Sequence, residues 1–202
     1  MIRSHHGRPA RTSLLALALL ATIVSGGAGA TPADAGASDG ITATAVAEIA
    51  PLQLDLDVYL VVLEERDGEA VWVRSPALEV APGALLEWWL RARNDAGETL
   101  GPVALDVPIP AGTVYLPGSA WLARATDDGG LVPAEDVAHE LEFSADDAAT
   151  FAPEPLVRVV TREDGEAVEE IVPVDAYTHV RARLEHVPAD ATLVLVVRTS
   201  VR

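Results

Sequence analysis

One short stretch constrains the fold of this chain more than any other. Residues 85–93 alternate with a period of two between a proline-glycine turn and a second, polar turn. Leu86, Trp88, Leu90 and Ala92 fall on one face, while Leu85, Glu87, Trp89, Arg91 and Arg93 fall on the other. Successive side chains of a strand point to opposite faces, so the first set should line a core and the second should face outward. Pro82-Gly83 opens the strand, and Asn94-Asp95-Ala96-Gly97 closes it with turn-forming residues. A tryptophan can bury roughly 150–250 Å², which makes Trp88 a main packing residue.

The same pattern recurs along the chain. Residues 53–62 place Leu54, Leu56, Val58, Leu60 and Val62 on one face and Asp55, Asp57 and Tyr59 on the other. Residues 64–69 then turn, with Asp67-Gly68 supplying the positive φ of a tight hairpin, and Val71-Trp72-Val73 returns. Residues 103–107 form a strand halted by Pro108 and Pro110. Two prolines so close cannot occupy a central ladder, so residues 108–112 leave the sheet or follow its edge. Further strands are expected at 113–116, 139–143, 156–161, 168–174, 177–184 and 192–201. No segment carries a 3.6-residue period of helical length. Short strands with glycine and proline punctuation point to an all-β, antiparallel sandwich over residues 51–202. Residues 53–73 either belong to that sandwich or form an extra N-terminal hairpin. The pentapeptide Asp-Gly-Glu-Ala-Val occurs at 67–71 and again at 164–168. The flanks do not align, and two hairpins drawing on one menu of turn residues explain the repeat better than duplication.

The N-terminus has the grammar of export. Arg3, Arg8 and Arg11 precede an apolar or small run at 14–24, and Ala28-Gly29-Ala30 offers a small-x-small cleavage site. Residues 1–30 are therefore expected to be a signal peptide. The run is about half of the roughly 20 residues that span a bilayer, so stable membrane insertion is not expected. Residues 31–50, rich in Ala, Gly, Thr and Asp, should form a disordered leader. The chain has no cysteine, which removes both lipoprotein acylation and disulfides. Stability must come from a core.

All 31 acidic residues follow the signal segment, and the basic residues are 14 arginines with no lysine. With three arginines in the signal, the exported chain carries 11 cations against 31 anions, near −20. Nucleic acid and anionic lipid are polyanions that recruit Lys/Arg clusters, so neither is an expected partner. Such a charge suits a calcium-rich or salty exterior or a cationic partner, although an acidic solubilising surface is the simpler reading.

Catalytic chemistry finds few candidates. A nucleophile needs a base within hydrogen-bond reach, and beyond the signal the histidines are His139, His179 and His186. Ser119 sits in a turn without the Gly-x-Ser-x-Gly elbow. His179 and His186 are separated by a whole strand segment, which does not suit zinc. Asp127-Asp128-Gly129 and Asp146-Asp147 could offer calcium carboxylates, but neither matches a twelve-residue EF-hand loop, and solvated turns are the simpler reading. No metal or cofactor is expected.

A family resemblance enters on residues 80–120. Pro82-Gly83, the strand marked by Leu86, Trp88 and Leu90, and the Asn94/Gly97 turn are followed by a strand at 103–107. Then come the corner Pro110-Ala111-Gly112-Thr113-Val114-Tyr115 and the step Gly118-Ser119-Ala120. This order resembles the bacterial surface conserved-repeat domain, the family of unknown function numbered eleven. Phe143-Ser144-Ala145-Asp146, Phe151-Ala152-Pro153 and residues 177–181 extend the likeness through 80–202. Two turns depart from it: Asp147-Ala148 and Pro188-Ala189-Asp190 stand where glycine is usual. The resemblance implies an immunoglobulin-like sandwich in an exported protein, serving as a spacer or interaction module, with no catalytic residues to transfer.

The sequence thus points to an exported, non-enzymatic module with a structural or interaction role at the cell envelope, whether periplasmic, at the cell surface or released. Its partner would be an envelope protein or glycan. The alternative is an accessory module that binds carbohydrate or protein through Trp89, Arg91 and Arg93. Against that alternative, the same face could pack on the N-terminal hairpin, whose Trp72 also needs cover.

Overall fold

The structure is a computed structural model that describes residues 52–202; the expected signal peptide and leader lie outside the described residues. In chain order the strands are β1 (Leu52–Arg66), β2 (Glu69–Pro76), β3 (Leu85–Asn94), β4 (Val103–Pro108), β5 (Thr113–Tyr115) and β6 (Trp121–Ala125). They continue with β7 (Leu131–Pro133), β8 (His139–Ser144), β9 (Val157–Thr161), β10 (Ala167–Ile171), β11 (His179–Leu184) and β12 (Thr192–Val201). One 3₁₀ turn, Val174–Ala176, precedes β11. None of the described helical segments is long and apolar enough to cross a membrane.

The fold is an antiparallel β-sandwich. The larger sheet runs β2-β1-β3-β12-β6-β7, with β5 added along β12, and the smaller runs β4-β11-β8. The alternation of β3 puts Leu86, Trp88, Leu90 and Ala92 inward, beside Leu193, Leu195 and Val197 of β12. From the other layer come Val103, Leu105 and Val107, Val180, Ala182 and Leu184, and Phe143, which together form one buried cluster. Removing such side chains from water is the dominant stabilising term, at roughly 25 cal/mol per Å². Polar atoms inside are paired. Trp88 Nε1 donates to Thr199 Oγ1 at 2.9 Å. Asn94 is fully buried; its Nδ2 donates to the carbonyls of Glu98, Val187 and Pro188, and its Oδ1 accepts from Ala96 N. That one side chain ties the end of β3 to the turn before β12.

The Pro-Ala-Gly-Thr-x-Tyr corner is structural. Gly112 adopts φ 86°, Thr113 donates to the Pro110 carbonyl through both N–H and Oγ1, and Tyr115 turns into the core. There its ring lies 5.2 Å from Phe143 and 6.0 Å from Tyr177, centroid to centroid.

Residues 53–73 do join the sandwich. β1 pairs with β3 from Leu52 to Val61 and with β2 from Tyr59 to Arg66. The ribbon therefore runs past the end of β3 and projects from the sheet. Its strands are longer than the sequence suggests, because Asp67 (φ 55°) and Gly68 (φ 83°) alone make the turn. A two-residue turn with both φ positive matches the twist of its strands, so pairing continues to the tip. The second Asp-Gly-Glu-Ala-Val copy turns differently. There only Gly165 has positive φ, and Arg162 N–H donates to the Glu166 carbonyl around a longer loop. One pentapeptide thus serves two unlike hairpin turns. β9 and β10 pair only with each other, as a second ribbon apart from both sheets.

Two strands have no counterpart in the sequence reading, β6 and β7. The Ala- and Arg-bearing β6 shows little strand preference alone and forms because β12 offers an edge to Trp121–Arg124, while the three-residue β7 is too short to announce itself and pairs in turn with β6. The two turns written without glycine at 147–148 and 188–190 still take left-handed backbone: Asp147, Ala148 and Asp190 have φ of 55°, 67° and 56°.

Candidate functional site

The outward face of the larger sheet follows from register. Trp89 stands between Asp57 of β1 and Val196 of β12, and Val196 is followed by Trp121 of β6. One row along, Arg91 stands between Asp55 and Val194; on the other side, Glu87 stands between Tyr59 and Arg198. Among the described residues no second layer of strands covers this face, yet Val194, Val196, Ala123 and Glu87 have no exposed surface and Trp89 keeps only 8%. Neighbouring long side chains do the covering. The Tyr59 ring is 4.9 Å from that of Trp89, and the Arg74 and Arg91 guanidinium carbons lie 5.5 and 5.1 Å from the Trp89 ring centre. Cation–π contacts of this kind strengthen when water is excluded.

Glu87 organises the cluster. Its Oε1 accepts from Arg74 Nε at 2.5 Å and Trp89 Nε1 at 2.7 Å, and its Oε2 accepts from Arg198 Nε at 2.7 Å. Burial is the largest single influence on this carboxyl and pushes its pKa up. The hydrogen bonds from Arg74, Arg198 and Trp89 together outweigh it, so the pKa lies below the ordinary carboxylate value. Arg74 belongs to β2, so this ion cluster also fastens the base of the projecting ribbon to β3.

The three residues singled out in the sequence share one strand face but have different surroundings. Trp89 is enclosed and presents no open ring face. Arg91 pairs with Asp57 and donates to Tyr59 Oη at 3.2 Å. Arg93 is the most open of the three and pairs with Asp95 at 2.7 Å. Cover for Trp89 does come from the N-terminal hairpin, through Tyr59 and Arg74, while Trp72 stays half exposed beyond it. Glu87 and its two arginines are the electrostatic centre of this face, which sequence reading missed. The available signal was a glutamate in the outward set, between Leu85 and Trp89.

The smaller sheet carries a lesser cluster. Arg181 donates to both oxygens of Asp106 at 2.7 and 2.9 Å, and its guanidinium carbon lies 3.5 Å from the Phe151 ring centre. The Asp106 hydrogen bonds raise the arginine's pKa further.

The acidic turns are occupied by their own loops. Asp128 Oδ1 accepts from Thr126 Oγ1 and Gly130 N–H, which lowers its pKa. Asp146 accepts from the Thr150 Oγ1 and N–H and from Ser144 Oγ, and is pulled down to about 2. Asp128 makes an Asx turn with the N–H two residues on, while Asp146 closes a wider loop onto the N–H of Thr150, four residues on. Burial lowers the His179 pKa, and Nδ1 lies 3.1 Å from Thr178 Oγ1. Among the described residues, no group of three or more His, Asp or Glu is disposed to hold a metal.

The two ribbons differ from the body in what they expose. On the first, Val62, Leu63, Val71 and Trp72 lie open to solvent; on the second, Val157, Val159, Val160 and Ile171 do. An open concavity near the first turn is lined by Leu63, Glu64, Glu65, Gly68 and Ala70.

No protein-family model, curated protein or solved structure matches this chain.

Proposed function

We propose that this chain is an exported, non-enzymatic β-sandwich module with a structural or interaction role at the cell envelope. One observation carries the reading: a closely packed sandwich holds out β-ribbons whose apolar side chains are exposed. Contiguous apolar surface in water is costly, and where a stable body presents it the usual reason is a partner. The basic and apolar N-terminal segment supports export, as does the likeness of 80–120 to a bacterial surface repeat. A core without cysteine suits either side of a membrane, so the signal carries the localisation.

Fractionation of cells expressing the full sequence tests the reading. The chain should leave the cytoplasm with Thr31 as its first residue, and in-situ cross-linking should join it to an envelope protein or glycan. Retention in the cytoplasm with Met1 intact overturns export. A turnover abolished by replacing one polar side chain overturns the non-enzymatic assignment.

A further inference from the structure

We propose that the overhanging half of the β1–β2 ribbon is a docking strand for an extended polypeptide segment that alternates cationic and apolar residues. The inference rests on the interaction-module reading and names the surface and the kind of partner.

Three observations converge on this segment. The first is apolar exposure where the strand pattern leads the chain out of the core. Leu63 and Trp72 are cross-strand partners and remain 52% and 51% exposed. On the other face of the same ribbon, Val62 and Val71 are also open. The second is the edge. β2 is the outermost strand of the larger sheet, and among the described residues its outer side faces no other strand. An antiparallel edge presents alternating N–H and C=O groups that an added strand can pair. The Glu87 cluster fixes the base of β2 through Arg74, so the edge is held in position.

The third is charge, and it selects the occupant. Glu64, Glu65, Asp67 and Glu69 surround the tip, and the only cation among them, Arg66, is held by Glu64 at 3.0 Å. This imbalance extends over the whole body. Ten of the eleven arginines between residues 52 and 202 form ion pairs with carboxylates, and Arg202 donates to the Asp175 carbonyl. The surplus charge a partner meets is therefore carboxylate. The chain carries −17 in all, so a second copy is repelled on approach and a basic segment is attracted. Alternate apolar residues would lie over Trp72 and Leu63, and alternate cations among the tip carboxylates.

The test uses the full chain and dye-labelled eight-residue peptides, read by fluorescence anisotropy. A peptide alternating Lys and Val should bind, more weakly as salt rises. One alternating Glu and Val should not, nor should a Lys peptide of equal charge with its valines replaced by proline, which cannot complete a ladder. Trp72→Ser removes an exposed side chain without changing charge and should weaken binding about tenfold. Amide exchange along β2 should slow in the complex. Equal binding by the proline peptide, or binding indifferent to Trp72→Ser, overturns the proposal as non-specific attraction. A dimer that Trp72→Ser dissociates overturns it in favour of self-pairing. Trp72-dependent sedimentation with phosphatidylcholine vesicles overturns it in favour of a lipid surface. Envelope partners that persist on the Trp72→Ser chain leave the module reading standing and sink this site alone.

Discussion

Replacing Ala148 by glycine should stabilise this protein, the reverse of the usual effect of adding glycine. Ala148 follows Asp147 in the turn after β8, and both hold φ values in the left-handed region, 67° and 55°. That conformation brings an L residue's Cβ against the carbonyl that follows and costs about 1–2 kcal/mol. Glycine removes the clash and keeps the Ala148 N–H that donates to Ser144 Oγ at 3.0 Å. The greater freedom of glycine in the unfolded chain returns about 0.4–1 kcal/mol. The expected net gain is about 0.5–1 kcal/mol. Urea unfolding followed by the emission of the buried tryptophans measures it. With a slope of about 2 kcal/mol per molar, the midpoint should rise by about 0.3–0.5 M without a change in slope. Ala149→Gly is the control: its φ is not positive, so the same substitution one residue later should lower the midpoint. A midpoint for Ala148→Gly at or below that of the parent would refute the reasoning.

Three other outcomes follow from the structure. Glu87→Gln should cost about 2–3 kcal/mol in urea unfolding, below the figure for a fully buried pair because both arginines keep about a third of their surface in water. Since the native pKa of Glu87 is depressed, its contribution is present above the unfolded carboxylate value and lost as pH falls through the native one. The variant should accordingly lose less stability than the parent on acidification. In an ultraviolet pH titration, Tyr115 should ionise near 12, since burial and then the nearby Glu154 carboxylate push it up from 10.0. Its stabilising contribution is complete below about 10 and lost as pH rises toward 12; a step of normal midpoint for all three tyrosines would contradict its burial. Gly101→Ala should destabilise by more than 2 kcal/mol, because a Cβ there collides with the Glu185 carbonyl oxygen and lies 2.8 Å from His186 Cα. A thermal midpoint equal to the parent's would show that the two segments can separate freely.

What the sequence disclosed depended on how local the deciding force was. β3, β4, β5 and β12 were legible because their own alternation and turn residues determine them. The inward set of β3 was assigned correctly from period alone. β6 and β7 were not legible, since Ala123 and Arg124 become strand residues only when β12 lies alongside, and the three residues of β7 only when β6 does. The reach of β1 to Arg66 was hidden by its charged end: Glu64, Glu65 and Arg66 look like loop, but a two-residue turn lets pairing run through them. The Trp89 face was half legible. Its composition was visible, but whether Arg91 reaches outward or back depends on Asp57, 34 positions earlier in the chain. No local pattern reports that distance.

The outward cluster also explains why the projecting ribbon can exist. A two-stranded hairpin is marginal in water by itself, and among the described residues the overhanging part of β1 and β2 has no layer on either face. Its order has to come from its base. There Tyr59 and Arg74 close over Trp89, and Arg74 reaches the carboxylate that Arg198 holds from the far side of β3. A hydrophobic base would fasten the ribbon as well but would widen the apolar surface already exposed by Leu63 and Trp72, with the risk of edge-to-edge association. A buried carboxylate shared by two arginines that keep about a third of their surface in water fixes one register and leaves a polar exterior. The same arrangement commits the arginines inward and leaves carboxylates around the tip, so the feature that orders the ribbon also determines the charge a partner must bring.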